Sequence, residues 1–455
     1  MLGEAAVRHL IERAIHLSPA EQTEVLFLGM EESLTRFANN EIHQNVAETQ
    51  ATIILRVAMG KRVAAVSTTR LDDAGLQAAL EQAVALAKLQ PENPDFPGFT
   101  PPTPLPSGMP TAYDEATAGA DPWFRAKAVG EVIRYALAQG VVASGALMTG
   151  RYEWGLATSL GHYAYLPTTM SDLTIVAMTE TGSGYAADAA WRVGAIDVAA
   201  RGREAVDKAV RAQNPRPLPP GEYPVVLDTY ATQDILSFLG GAASAQSVHE
   251  GQSWMSGRQG QALLSSAITI LDDPHDPELW PLPFDFEGMP RQRVAIVEQG
   301  VVGEAVYDRL WAQKTGHAAT GHALPAFNPF SPGQAMGGMG PAPLHLTLLP
   351  GDTPIEEMIR HLDRGLYITR FNYTRPVHPR EVIVTGLTRD GTFWVEKGEI
   401  AYPVQNLRFT QSYVAALKEV LAVGDQAQRE RGYFAISRAP ALSLPTFRFT
   451  GSTTF

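Results

Sequence analysis

Two proline-dense breaks constrain this chain more firmly than any other feature, one running from Pro91 to Pro110 and the other being Asn214-Pro215-Arg216-Pro217-Leu218-Pro219-Pro220. Proline fixes φ and carries no amide hydrogen, so neither stretch can continue a helix or lie inside a sheet. The first reads as a semi-rigid linker. The second leads into a short buried-strand pattern at Tyr223 to Leu227. A chain of 455 residues, 45% of them apolar, is too long for one core and can fill two or three. The breaks therefore predict an N-terminal α+β domain over 1–95, a central α+β domain over 112–215 and a β-rich C-terminal domain over 222–455.

The same order of elements recurs on either side of the first break. Residues 2 to 16 place Val7, Leu10, Ile11, Ala14 and Ile15 at helical spacing. Strand-like runs follow at 24–29, 33–37 and, after the Asn39-Asn40 turn, 42–49. Runs at 51–58 and 63–68 flank a hairpin at Met59-Gly60-Lys61-Arg62, and Asp72 then caps a helix carrying Leu76, Leu80, Ala83, Val84 and Ala87 on one stripe. Beyond the linker come a helix from Pro122 to Gln139, strands near 141–148, 172–179 and 185–193, and a helix starting at Asp197. This order predicts two copies of one helix, strands, helix module, against the plain alternative that a common α+β order recurs by coincidence.

The third region predicts strands near 265–271, 294–298, 344–349 and 365–371, and a meander over 382–404 that turns at Asp390-Gly391 and Lys397-Gly398. Helices are expected at 233–239, 305–314, 355–362 and 411–423. Antiparallel pairing through short links should dominate, so the fold class is α+β and not a doubly wound parallel sheet.

A formal net charge of -12 leaves no basic surface for a phosphate backbone, which excludes nucleic acid as a direct partner. Glu4, Arg8, Glu12 and Arg13 interrupt the first apolar pattern, and no later stretch is an uncharged span of membrane length. A cytoplasmic protein without a membrane segment is expected. The chain has no cysteine, so disulfides, thiolate ligands and a cysteine nucleophile are absent together. Any metal site would draw on His, Asp and Glu.

Several clusters have the right atoms for such a site. Ser247-Val248-His249-Glu250-Gly251-Gln252-Ser253-Trp254 begins like an H-E-x-x-H zinc helix, but Ser253 stands where the second imidazole belongs. Asp272-Asp273-Pro274-His275-Asp276 gathers oxygens that suit a hard cation, yet Asp before Pro is also the ordinary end of a strand. His317 and His322 are five residues apart and would diverge on a helix. Gly333 to Gly340 is glycine-rich without the Lys-Ser/Thr ending of a phosphate loop, and reads as an adaptable apolar loop. Asp285 and Glu287, within Pro283 to Pro290, read as a structural turn first and a carboxylate pair second.

Read in order, these segments resemble the TldD/PmbA family: Arg36 to Asn45, Ser256-Gly257-Arg258-Gln259-Gly260, Thr269 to Pro274, Pro283 to Pro290, Val297 to Val301, Thr320-Gly321-His322-Ala323 and Met358 to Tyr367. The resemblance implies three parts, the last carrying a zinc site in the family's active branch. There an H-E-x-x-x-H helix and a cysteine hold zinc, the motif preceding the Ser-Gly segment by roughly twenty residues. Counting back from Ser256 reaches Leu236, within Ile235 to Ala242, a window without His, Glu or Cys. No catalytic, cofactor-binding or metal-ligating residue therefore carries over. What the resemblance implies is the PmbA (TldE) branch: a non-catalytic subunit, with zinc in a TldD-like catalytic partner and unstructured peptides as substrates. A homodimer, a stand-alone metallopeptidase using His249, His275, His317 or His322, and a peptide-binding regulator without proteolysis stay open beside it.

Overall fold

Helix α1 (Glu4–Leu17) buries Val7, Leu10, Ile11 and Ala14, the stripe that its sequence spacing predicts. It settles so closely on the sheet that a Cβ on Gly155 would lie 2.4 Å from Val7 Cγ1. In this computed structural model, which describes residues 1–106, 108, 111–328, 334–336, 339–432 and 435–452, the sheet beneath α1 comes from both N-terminal regions. Strands β1 (Gln22–Ala38), β2 (Glu41–Met59) and β3 (Arg62–Thr68) precede α2 (Asp73–Leu89), and Asp72 caps α2 by accepting the Gly75 amide. After the short α3 (Glu115–Ala118) come α4 (Pro122–Ala138), β4 (Val142–Thr158), β5 (Tyr163–Met178), β6 (Ser183–Ala190) and α5 (Val198–Arg211). The strand order is β3-β2-β1-β4-β5-β6, antiparallel throughout.

The helix, three strands, helix order thus occurs twice, and the two sets lie side by side in one layer, joined where β1 pairs with β4 from Glu24↔Thr158 to Phe37↔Gly145. Strand alternation divides this sheet cleanly. Val25, Phe27 and Phe37 turn toward the four long helices, while Leu26, Leu28, Met148, Trp154 and Leu156 turn to the other face and meet Leu279 to Phe286 of the third region. The expected runs at 24–29 and 33–37, and at 42–49 and 51–58, are corrected: they belong to two unbroken strands of 17 and 19 residues. The proline-rich stretch is also more than a spacer. Phe96 and Phe99 are buried, the Lys61 Nζ donates to Phe96 O, and Arg309 Nη1 donates to Gly98 O at 2.5 Å.

The third region carries β7 (Gly221–Leu227), α6 (Thr229–Gly241), α7 (Ala245–His249), β8 (Ile270–Asp272), β9 (Val294–Glu298), β10 (Val301–Val302) and α8 (Arg309–Thr315). It continues with β11 (Leu346–Leu348), α9 (Ile355–Arg360), β12 (Arg364–His378), β13 (Ile383–Glu396), β14 (Glu399–Pro403), β15 (Leu407–Ser412), α10 (Tyr413–Ala416), β16 (Ala422–Arg431) and β17 (Ile436–Ser452). Strands β7, β12, β13, β15 and β17 close a circuit, since β17 pairs with both β15 and β7. The pairing is mainly antiparallel, with parallel contacts at β12–β7 and β11–β17. The molecule is α+β.

Two local expectations are corrected. Asp390-Gly391 is not a hairpin turn but a bulge within β13: Ile368 faces Thr392, Arg370 faces Arg389, and the extra residues take φ of 59° and 128°. Lys397-Gly398, with φ of 54° and 77°, does turn the chain into β14. The helix expected over 411–423 shrinks to the single turn of α10 between two strands, because Ser412 caps only that turn by accepting the Ala415 amide.

Candidate functional site

Helix α6 begins at Asp228, whose Oδ1 accepts the Thr229 amide, and it carries the window 235–242 into the core of the third region. Leu236 and Leu239 are buried, and Gly240 lies against Leu346, where a Cβ would come within 2.4 Å of Cδ1. Ser237 donates back to Asp234 O at 2.8 Å. Aliphatic, aromatic, hydroxyl and glycine positions do not fit a zinc ion, which requires imidazole, carboxylate or thiolate donors. Among the described residues no three His, Asp or Glu side chains converge as a metal-ligand set.

The sequence candidates disperse. His249 ends α7, and its Nε2 lies 3.1 Å from the Tyr307 hydroxyl. Its ring meets the His317 ring at 5.5 Å between centroids, so the structure joins two exposed histidines that the sequence kept apart, over the buried rings of Tyr307 and Trp311. Burial and the nearby His317 hold the His249 imidazole below its ordinary pKa. Ser253 and Trp254 anchor the segment to the end of α6 through Ala242 O and Leu239 O. His322 is fully buried elsewhere, with Nε2 on Asp272 Oδ2 at 2.6 Å and Nδ1 on Thr320 Oγ1 at 2.8 Å. Asp273 pairs with Arg293 and Asp276 with Arg438, while Asp273 Oδ1 takes the His275 amide. The five-residue acidic cluster is therefore a turn whose three carboxylates serve three different side chains, His322, Arg293 and Arg438. Of the run 333–340, Gly333, Gly337 and Gly338 lie outside the described residues.

Asp285 and Glu287 form a latch between the first sheet and the third region. Arg56 Nη1 donates to Glu24 Oε1 at 2.8 Å and to Glu287 Oε1 at 3.2 Å. Asp285 Oδ1 accepts the Glu287 and Met289 amides, and Thr100 Oγ1 donates to Glu287 O. Burial raises the Glu24 and Asp285 carboxyls, and the Glu287 charge adds to the rise in both. Asp308, which caps α8 by accepting the Trp311 amide at 2.7 Å, is pushed up to about 7 by burial and then by Glu287. A folded-state pKa above the unfolded value contributes stability that is complete below the ordinary carboxylate range and is lost as pH rises through the folded value. Asp308→Asn keeps the cap and removes the titration. Its unfolding free energy relative to the parent should therefore gain about 2 kcal/mol between about pH 4 and about pH 8. Urea melts at the two pH values check this; a constant difference refutes it.

Sequence reasoning missed a largely buried charged cluster that runs from the first sheet across β16 to the polar side of α6. Asp234 accepts from Tyr413 Oη and Thr374 Oγ1, both at 2.7 Å. Arg370 lies 3.9 Å over the Tyr185 ring and pairs with Asp390 at 3.0 Å. The Tyr185 hydroxyl donates to Glu430 Oε1 at 3.3 Å, and burial pushes that carboxyl up to about 7 against the pull of Arg370. Farther along, Arg431 stands 4.0 Å from Asp172 and 3.8 Å from Glu32, which accepts from Tyr152 Oη. Burial also raises Asp172 and Asp234. These side chains come from seven strands and two helices, so no local motif could announce them.

Comparisons with known proteins bear on the family and the fold. Residues 220–452 match the family description "PmbA/TldA metallopeptidase C-terminal domain", and residues 23–87 match "PmbA/TldA metallopeptidase domain 1". A metalloprotease of Methanothermobacter thermautotrophicus is 28% identical over 242 residues, 52% of this chain and 50% of that protein. A metalloprotease PmbA homolog of Haemophilus influenzae is 29% identical over 231 residues, 50% of this chain and 46% of that protein. The chain spans about half the length of the curated relatives it matches. The crystal structure of TldE from Thermococcus kodakarensis superimposes with a TM-score of 0.86 at 20% identity, covering 98% of this chain and 99% of that one, which establishes the shared fold. No helix among the described residues is long and apolar enough to cross a membrane.

Proposed function

Because the chain belongs to the PmbA/TldD metallopeptidase family, we propose that it is a non-catalytic, PmbA (TldE)-like subunit that works with a TldD-like partner to process or degrade unstructured peptides. The observation that supports this reading is α6, whose window 235–242 has no His, Glu or Cys at the spacing from Ser256 where the family resemblance implies the zinc motif. Zinc and general base belong to the partner. The charged cluster from Asp234 to Glu32 marks the path for an extended peptide, since its carboxylates, guanidiniums and phenols can serve amide and charged groups of many sequences. A folded protein could not enter it, so substrates are selected by access. The reading places the subunit in the cytoplasm.

Metal analysis and peptide hydrolysis, on the chain alone and mixed with an H-E-x-x-x-H family member from the same genome, test the proposal. The chain alone should hold no stoichiometric zinc and cleave nothing, and the mixture should cleave. His249→Ala should leave the mixture's rate within about threefold. Stoichiometric zinc in the chain alone, together with loss of hydrolysis on His249→Ala, would establish a stand-alone peptidase built on His249 and His317. Tight peptide capture without cleavage in the mixture would establish a binding regulator.

A further inference from the structure

Where the first sheet meets the third region at the second proline break, the chain encloses a cavity of about 580 Å³, inside the range of about 300–1,000 Å³ that small-molecule sites occupy. One wall is the turn from Met178 to Ser183 between β5 and β6, closed by the Thr179 amide on Gly182 O at 2.8 Å and the Gly182 amide on Thr179 Oγ1 at 2.9 Å. Gly182 wedges this turn against the end of α5, where a Cβ would lie 2.7 Å from Ala209 O. Another wall is the β13 bulge, held in shape by Thr369 Oγ1 on the Asp390 and Gly391 carbonyls. The proline break ties the walls together: the Asn214 amide donates to Thr181 Oγ1 at 2.9 Å, and the Arg216 amide donates to Pro403 O at 2.9 Å. Cross-tied in this way, the cavity is preformed.

Its charges are unevenly paired. Asp390 has no oxygen to spare, since Ser183 Oγ donates to Oδ1 at 2.8 Å and Arg370 Nη1 to Oδ2 at 3.0 Å. Arg389 is left with that same carboxylate at 3.8 Å, beyond hydrogen-bond reach, as its one ionic contact among the described residues. Glu180, exposed on the β5–β6 turn, pairs with no cation among the described residues. The rest of the lining offers hydroxyl and carboxamide groups, as from Thr181 and Gln405, and aliphatic surface from Met178 and Val404. A guanidinium and a carboxylate without close partners, set among neutral polar groups, suit a molecule that carries one charge of each sign joined by amides. A rounded space of this volume is about 10 Å across, the length of three extended residues.

We propose that the cavity binds a short zwitterionic peptide of two or three residues, its carboxylate on Arg389 and its ammonium on Glu180. Hydrolysis of a peptide bond leaves a new carboxylate on one fragment and a new ammonium on the other, so a released di- or tripeptide carries both charges. Asp390 joins the cavity to the charged cluster through Arg370, and a product held here lies next to the path of the substrate. That use rests on the proposed peptidase role, whereas the binding itself does not.

Calorimetric titration of the full chain alone with trialanine tests the site. Trialanine should bind with a Kd of about 0.3 mM. Amidating its carboxyl should weaken binding about tenfold, and acetylating its amine about fivefold. Arg389→Ala should weaken trialanine about tenfold and be indifferent to amidation, and Glu180→Gln should weaken it about fivefold and be indifferent to acetylation, as directly paired groups require. Both side chains reach solvent, so thermal midpoints should stay within about 2 °C of the parent. No saturation by about 10 mM trialanine, or equal binding in the parent and both variants, overturns the proposal. Hydrolysis in the mixture without capture of trialanine by this chain removes the site and keeps the peptidase role; capture by a chain that supports no hydrolysis beside its partner does the reverse.

Discussion

Arg56→Ala should lower the unfolding free energy by about 3–4 kcal/mol, the largest loss expected from any single change outside the apolar core. The guanidinium is the common partner of Glu24 and Glu287, at 2.8 and 3.2 Å, and both carboxylates are largely buried. Removing it leaves two like charges in a site that already disfavours them, with Asp285 beside them. The surface lost is modest; most of the cost comes from the uncompensated charge. Urea unfolding at neutral pH reads the loss directly. The deficit should shrink as pH falls into the carboxylate range, because protonation removes the charges that Arg56 had balanced. A loss below about 1 kcal/mol would mean that water reaches the latch and screens it as at a surface.

Lys208→Met should cost about 3 kcal/mol. Lys208 Nζ lies 3.0 Å from Asp228 Oδ2 and 2.8 Å from Glu204 Oε1, inside the contact between α5 and the third region. Asp228 also accepts the Tyr367 hydroxyl at 2.6 Å and caps α6. The Lys208 charge, the Tyr367 hydrogen bond and the cap amide together hold the Asp228 carboxyl below its ordinary range despite burial. Without the lysine, a helix start would be left carrying an unbalanced buried anion. Adding Asp228→Asn should recover at least about 1 kcal/mol, since asparagine still caps and carries no charge. Equal losses in the single and double variants would show that Lys208 acts only through its packing.

The parts of this fold that could be read from sequence are those governed by neighbours along the chain. Asp72 and Asp197 announced helix starts, and each side chain accepts an amide three residues on. Asn39-Asn40 and Lys397-Gly398 announced turns because they tolerate positive φ. The long strands read as fragments because Met30 to Leu34 include two half-buried glutamates whose partners, Arg151, Tyr152 and Arg431, are remote in sequence. Asp390-Gly391 carries a hairpin signature, but Thr369 Oγ1 donates into the bulge carbonyls and the strand runs on. For the site, the sequence shows directly that residues 235–242 carry no His, Glu or Cys. The charged cluster was not legible, because Asp234, Tyr185, Arg370 and Glu430 are brought together only by tertiary packing.

The seam between β1 and β4 has a practical consequence for anyone dividing this protein into pieces. A fragment ending in the proline-rich stretch would strip β1 of every hydrogen bond it makes to β4 from Glu24 to Phe37 and lay bare Leu26, Leu28 and Ile54 on the face opposite α1. Neither fragment should be soluble by itself. Co-expressed, the two should find each other and reassemble, which makes that stretch a natural place to split the gene for a complementation reporter.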